Sequence, residues 1–307
     1  MTRRIVVANA PVSYGAFELT VGHDPNVPDG LALLDQVSAA GYAGIDLGPV
    51  GYLGSGPVLV ERLRERDLGL AGAYLELPFA DRPALRAAVP ELDAMLDLFD
   101  AVAPHVAGPP SRPTLAVMGT PERLAAPGIG ARDPAAGYDE GTWDRFSDGL
   151  EWIIARCRAR GYEPAFHNET GTHIEAPAEI EQILRRTDVQ LCLDVGHLGV
   201  SGGDAAAFLR RWSARIDHLH LKDVHRDRFA EIVANGEPTT AIWSREVFPR
   251  LGEGDLDLDG VLQAMADVGY SGWLVVEQDI LPTSAERFAQ AAEDQRANRA
   301  FLAARGL

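Results

Sequence analysis

The chain has 307 residues, enough for one large domain or two ordinary ones, and its 46% apolar and 24% charged residues exclude a disordered polypeptide. With 28 Lys and Arg against 45 Asp and Glu the formal net charge is −17. The average surface therefore repels phosphate backbones and anionic lipid, and with no basic patch to offset it the expected partners include neither nucleic acid nor membrane.

Short apolar runs alternate with amphipathic stretches along the whole sequence. In chain order the predicted strands are IVVANA (5–10), AGIDLGP (43–49), LAGAYLEL (70–77), TLAVMG (114–119), EPAFHNE (163–169), VQLCLDVGH (189–197), DHLHLKD (217–223) and GWLVVEQD (272–279). Helical patterns lie between them, among them LALLDQVSAAG, LRAAVPELDAMLDLFDAV, WDRFSDGLEWIIARCRA, EIEQILRR and LQAMADVG, and AERFAQAAEDQRANRAFLAARG closes the chain. GYAGIDLG at 41, GYEPAFHNE at 161 and GYSGWLVVEQ at 269 each put a helix-stopping Gly just before a strand. Eight βα pairs are the number that closes a parallel barrel, so the predicted fold is α/β, a (β/α)8 TIM barrel in a single domain spanning 1–307. An open doubly wound sheet is the alternative, but GYLGSG at 51–56 lacks dinucleotide spacing and context. The interruptions at about 120–140 and 225–256 follow strands, which places them on the C-terminal face as lids or substrate walls.

The opening MTRRIVVANAPVSYG has two arginines before an apolar run too short for a signal sequence, and no stretch has the roughly 20 apolar residues of a membrane span. A cytoplasmic protein is expected. Cys157 and Cys192 have neither metal nor redox spacing and read as core residues.

Alternation within the strands then selects candidate site residues. Helices cover the outside of such a barrel, so the apolar parity faces outward and the other parity faces the interior. That sends Leu219 and Leu221 out and His218, His220 and Lys222 in; Leu191 and Leu193 out and Asp194 in; Leu274 and Val276 out and Glu277 in. Phe166 goes out with His167 and Glu169 in, and the same rule brings in Asp46 and Glu76. A ring of buried carboxylates and imidazoles is costly unless a cation compensates it. Carboxylates and imidazoles from separate strands suit one divalent metal ion, Mn, Co, Mg or Zn, with positions left for a substrate. Lys222 is the only lysine of the chain, every other basic side chain being arginine.

Simpler roles compete for each residue. An Asp or His at a strand end is commonly a helix cap or a satisfied core group. Glu175, Asp223 and Asp279 read as solvated or capping, His218 as packing, and Lys222 as a chance survivor of an arginine bias. For Glu277, Asp194, His220 and Glu169 together, capping would require four strands to make the same costly choice independently.

Through NAPVSYGAF, GYAGIDLGP, GLAGAYLELP, FHNETGTHIE, CLDVGHL, IDHLHLKD, LGEGDLD and GYSGWLVVEQD the sequence resembles the xylose-isomerase-like barrels, a family of sugar phosphate isomerases and epimerases with inosose dehydratase-like members. The resemblance implies one divalent metal held by strand-end carboxylates and a histidine. By position it implies Asp194, His220 and Glu277 as ligands, His197 as a substrate-binding or proton-handling residue, and Asn9, Asp46, Glu76 and His218 at the substrate. The family usually has a glutamate at the end of its fifth strand, and dehydratase-like members have H-x-H; this chain has His167, Asn168 and Glu169. Glu169 is expected on the metal side because an anion offsets more of the ion's charge, leaving His167 to move protons, with the reverse assignment open.

The chemistry expected is proton abstraction beside the carbonyl of a keto-sugar or keto-cyclitol, with His167, Glu169, His197 and Lys222 as proton-handling groups. Returning the proton gives an isomerase or epimerase; expelling a β-hydroxyl gives an inosose-type dehydratase. A metal-dependent nuclease and a non-catalytic sugar-binding subunit are the competing classes, the first disfavoured by the acidic balance. The expected partner is an unphosphorylated small molecule, and a homodimer is compatible with the sequence.

Overall fold

The structure, a computed structural model, describes residues 5–307; the arginines at positions 3 and 4 lie outside them. Nine parallel strands form one sheet among the described residues: β1 (Ile5–Asn9), β2 (Gly44–Ile45), β3 (Gly69–Leu70), β4 (Gly72–Leu77), β5 (Arg112–Val117), β6 (Ala165–His167), β7 (Gln190–Asp194), β8 (Ile216–Leu221) and β9 (Gly272–Val276). The strand order β3-β2-β1-β9-β8-β7-β6-β5-β4 is that of a barrel cut open at one place. The cut falls at Ala71, between β3 and β4, and these two correspond to the single predicted third strand. Ala71 N donates to Ile45 O at 2.9 Å on one side while Arg112 N donates to Ala71 O at 3.0 Å on the other. One segment thus serves both edges, and the ring closes through it.

The predicted alternation holds where strands are regular. Leu191, Leu193, Leu219, Leu221, Leu274 and Val276 are fully buried in the main core, against the helices outside. Interior positions at the N-terminal end form a separate small cluster of Ala8, Ala10, Ala71, Trp273 and Val275. The Trp273 indole fills this end and donates to Pro109 O at 3.0 Å. Gly44 and Gly69 make room for it, since a Cβ would stand 2.5 Å from the ring at Gly44 and 2.7 Å at Gly69. The end of the barrel filled by Trp273 is therefore apolar and plugged, and the four-residue cluster of charged and imidazole side chains lies toward the C-terminal mouth.

Both interruptions carry short helices, Pro121–Leu124 and Ile129–Arg132 in the first, Arg226–Asn235 and Thr240–Ser244 in the second. They meet where Thr239 N donates to Leu124 O at 2.8 Å. The second has its own apolar core, including Val224, Phe229, Ile232, Val247 and Phe248. Glu175 and Asp223, read from sequence as solvated or capping, are both completely buried. Glu175 accepts from the amides of Gly128, Gly130 and Gly171, and Asp223 from those of Val224, Gly252, Gly254 and Leu256. Each carboxylate satisfies backbone donors that a turning loop would otherwise leave unpaired, fixing the walls of the mouth. Cys157 and Cys192 are free and buried, and no helix among the described residues is long and apolar enough to cross a membrane.

Replacing Trp273 by Ala should empty the barrel floor and cost about 3–5 kcal/mol of stability. Chemical denaturation reads this as a lowered midpoint; an unchanged midpoint would show that the indole does not support the ring.

Candidate metal centre

At the mouth, side chains from four strand ends converge. His167, Asp194, His220 and Glu277 each offer a donor atom, all four atoms lie within 4.8 Å of one another, and all four residues are buried. His167 Nε2 is 3.4 Å from Asp194 Oδ2, while His220 Nδ1 is 2.8 Å from Glu277 Oε2 and 3.8 Å from Asp194 Oδ2.

Asp194 shows how one residue serves two roles. Its Oδ1 accepts the amide of His197 at 2.9 Å and caps the helix Val195–Val200, and its Oδ2 points into the cluster with no hydrogen-bond partner. Asn168 fixes the strand behind it, accepting from Asp194 N at 3.0 Å and donating to Asp194 O at 3.1 Å. The helix-cap and site readings of Asp194 were posed as alternatives; the two oxygens divide them.

Lys222 lies against the same group. Its Nζ donates to Asp279 Oδ2 at 2.8 Å and to His197 Nε2 at 3.1 Å, and stands 2.9 Å from Asp194 Oδ2 and 3.0 Å from Glu277 Oε2. On its other side His197 Nδ1 lies 3.4 Å from Thr170 N and 3.0 Å from Thr170 Oγ1. Gly196 in the D-x-G-H motif gives the lysine stem its path, because a Cβ there would be 2.5 Å from Lys222 Cβ. Asp279, expected to be solvated or capping, is 5% exposed and bound to the ammonium. It shares the parity of Glu277, the sequence signal that would have found it.

Burial penalises every charge here, and the partners decide the outcome. For Asp194, desolvation is outweighed by Lys222 and His197, which hold its carboxyl well below the ordinary range. For Lys222, desolvation is outweighed by Asp194, Asp279 and Glu277, which hold the ammonium charged. For His220, desolvation is outweighed by Cys192 and Glu277, which raise the imidazole well above its usual value, whereas His167 is lowered chiefly by burial. For Asp46, desolvation outweighs the nearby His220 imidazole and pushes the carboxyl up to about 7.

A divalent cation fits this donor set. Asp194, Glu277 and Asp279 face the ammonium of Lys222 and the imidazole of His220, so that carboxylates outnumber the cationic groups beside them. Asp194 Oδ2 and His220 Nδ1 are buried and converge with donor atoms of His167 and Glu277. Two imidazoles and two carboxylates match the borderline preferences of zinc, cobalt or manganese.

Some expected residues lie elsewhere. Glu169 is outside the four-residue cluster, its Oε2 4.0 Å from His167 Nδ1 and bonded by the Tyr74 hydroxyl. The preference for Glu169 over His167 as fourth donor is therefore reversed in space: β6 ends at His167, and the chain bends into a loop in which Glu169 N donates to Ile174 O at 3.0 Å. Glu169 and Glu76 instead form a rim with Tyr74, whose hydroxyl oxygen also lies 3.0 Å from Glu76 Oε1. Burial and the neighbouring Glu169 raise Glu76 to about 7. Tyr74, absent from the sequence reading, shares the parity of Glu76 and is 38% exposed, an aromatic standing open in the mouth.

Asn9, expected at the substrate, points the other way. Its amide donates to Gln295 Oε1 at 2.9 Å on the outer side, because Ala8 and Ala10 occupy the interior parity of β1. His218 does point inward, but it lies one layer below His220, fully buried and away from the mouth. Asp46 is 3.6 Å from His220 Nε2, behind the imidazole.

Comparison with known proteins agrees with this architecture. Residues 34–303 match the family model described as xylose isomerase-like TIM barrel, and the chain belongs to that family. An inosose dehydratase of Lactiplantibacillus plantarum is 28% identical over 280 residues, covering 90% of this chain and 89% of the relative. One from Lacticaseibacillus casei is 32% identical over 157 residues, so this match spans 50% of the chain and only 53% of that relative. Among solved structures, an L-ribulose 3-epimerase aligns with a TM-score of 0.65 at 15% identity, covering 99% of this chain and 94% of that one. An IolI protein with a bound zinc atom aligns with a TM-score of 0.64 at 14% identity, covering 96% and 97%. The relatives matched in sequence are named inosose dehydratases, and the fold is shared with a sugar epimerase.

The raised Asp46 generates a pH effect of definite sign. Protonated in the folded state up to about 7 and ionised above about 4 when unfolded, it contributes stability that is full below about pH 4 and lost as pH rises through its folded value. In metal-free protein, Asp46→Asn should remove that decline, so the melting temperature of wild type relative to the variant falls between those two pH values. A difference independent of pH would contradict it.

Proposed function

We propose that the protein is a divalent-metal-dependent cytoplasmic enzyme that removes a proton beside the carbonyl of a keto-sugar or keto-cyclitol, with His167, Asp194, His220 and Glu277 holding the ion. The observation that carries this reading is the buried four-donor cluster at the open end of a plugged barrel. A bound dication would polarise the substrate carbonyl and an adjacent hydroxyl.

The chain's own groups divide into a carboxylate side and a cationic side. Glu169, partly exposed beside the cluster, takes the proton from carbon. Tyr74 orients that carboxylate and links it to Glu76, which holds a proton near neutral pH. On the other side, Lys222 is held by His197 and Asp279 and directs an N–H at substrate oxygen. Phe248, 5.3 Å from Nζ, closes the wall behind it and limits access of water.

This asymmetry supports elimination of water as the outcome. Glu169 accepts the proton from carbon, the neighbouring carbon–oxygen bond breaks as its hydroxyl takes a proton from Lys222, and water leaves as the double bond forms. Epimerisation needs two groups that can exchange base and acid roles on opposite faces, and an ammonium ringed by carboxylates is a poor second base. The names of the L. plantarum and L. casei relatives point to the same outcome. Epimerisation is the second reading, favoured by the shared fold of the L-ribulose 3-epimerase.

Metal-loaded protein incubated in D2O with ketoses and keto-inositols should convert a keto-inositol to a product one water lighter. Mass spectrometry distinguishes this from a deuterated isomer of unchanged composition, the epimerase result. Glu169→Gln should slow conversion by about 10²–10⁴-fold while metal content stays at the wild-type level. No product and no deuterium uptake across the panel would overturn the proposal.

A further inference from the structure

Lys222 poses a problem for the metal centre: the ammonium stands 2.9 Å from Asp194 Oδ2 and 3.0 Å from Glu277 Oε2, the two carboxylates that a cation would need. A buried ammonium can satisfy a carboxylate pair by itself, and would then exclude a metal by charge and by volume. A third carboxylate is at hand, for the closest contact of Nζ is to Asp279 Oδ2 at 2.8 Å, outside the four donors, with His197 Nε2 at 3.1 Å. The stem is confined between Gly196 and Phe248, so only the aim of the head can change.

From this we infer that Asp279 is a positioning residue whose function is to hold the Lys222 ammonium off the metal carboxylates, so that a dication and the ammonium occupy the mouth together. The inference rests on the metal reading above and adds a role for a residue outside the four donors. Without the Asp279 carboxylate, the nearest anions left to the ammonium are Asp194 and Glu277. The lysine then becomes a competitor for the cation. With Asp279 present, the metal takes Asp194 and Glu277, and Lys222 keeps two partners and one free N–H for substrate oxygen. Asp279 itself is buried, next to Gln278, whose backbone amide donates to Ser13 Oγ at 3.0 Å.

Zinc affinity of the purified full chain, measured by competition with a chromophoric chelator, tests this through a double-mutant cycle. Asp279→Asn should weaken zinc binding by about tenfold or more, in the range found for outer partners of metal ligands. Lys222→Met should tighten it, and the double variant should bind at least as well as wild type, because the competitor is gone. Circular dichroism checks that each variant folds; if Lys222→Met alone does not, Asp279→Asn against the double variant still carries the test. The inference fails if Asp279→Asn binds zinc like wild type, or if the double variant is as weak as Asp279→Asn, which would make Asp279 a support for the donors and not for the lysine. Failure of wild type itself to bind zinc would remove the metal reading, and this inference with it.

Discussion

The site is organised by an imbalance of buried charge. Asp194, Glu277 and Asp279 are drawn out of water within reach of a single ammonium, and the penalty for burying carboxylates is several kcal/mol each unless it is offset. Lys222 and His220 stand against these three carboxylates, and the proposed dication would add the remaining compensation. Asp194 splits its oxygens between a helix amide and the cluster, Gly196 clears the path of the lysine, and His197 and Asp279 steer its protons.

The fold makes this imbalance affordable by separating functions along the barrel axis. Trp273 and small residues close the floor, so the apolar contacts that stabilise the ring do not compete with the polar mouth. The two insertions are fixed by buried carboxylates that are not part of the chemistry, Glu175 and Asp223, each satisfying backbone amides of one loop. A buried amide chain of Asn9, Gln295 and Gln278 ties the final helix to β1 and to the residue between Glu277 and Asp279. Rigid walls and a preset charge pattern are what an enzyme needs to stabilise charge that develops during reaction.

Much of this was legible in the sequence because a parallel barrel wrapped by helices forces one parity outward. Where the strands are regular, in β7, β8 and β9, that rule gave Asp194, His220, Lys222 and Glu277 their correct orientation. It failed where its premises lapse. In β1 the interior positions are Ala8 and Ala10, packed with Trp273, so Asn9, expected at the substrate, lies on the outer side. Past the end of β6 the backbone bends, and Glu169 leaves the register that His167 keeps. Tyr74 and Asp279 obeyed the rule and were passed over for other reasons, the first because an aromatic resembles core and the second because a terminal Asp resembles a cap. The division of Lys222 between hydrogen-bonded and merely nearby carboxylates depends on angles that no sequence pattern carries.

The most direct test is anomalous diffraction from a crystal grown with zinc and recorded at the zinc edge. One peak should appear at the barrel mouth, about 2.0–2.3 Å from donor atoms of His167, Asp194, His220 and Glu277. Lys222 should still be bonded to Asp279. An empty mouth with Lys222 closed on Asp194 and Glu277, or a zinc ion held by Glu169 in place of His167, would contradict the account.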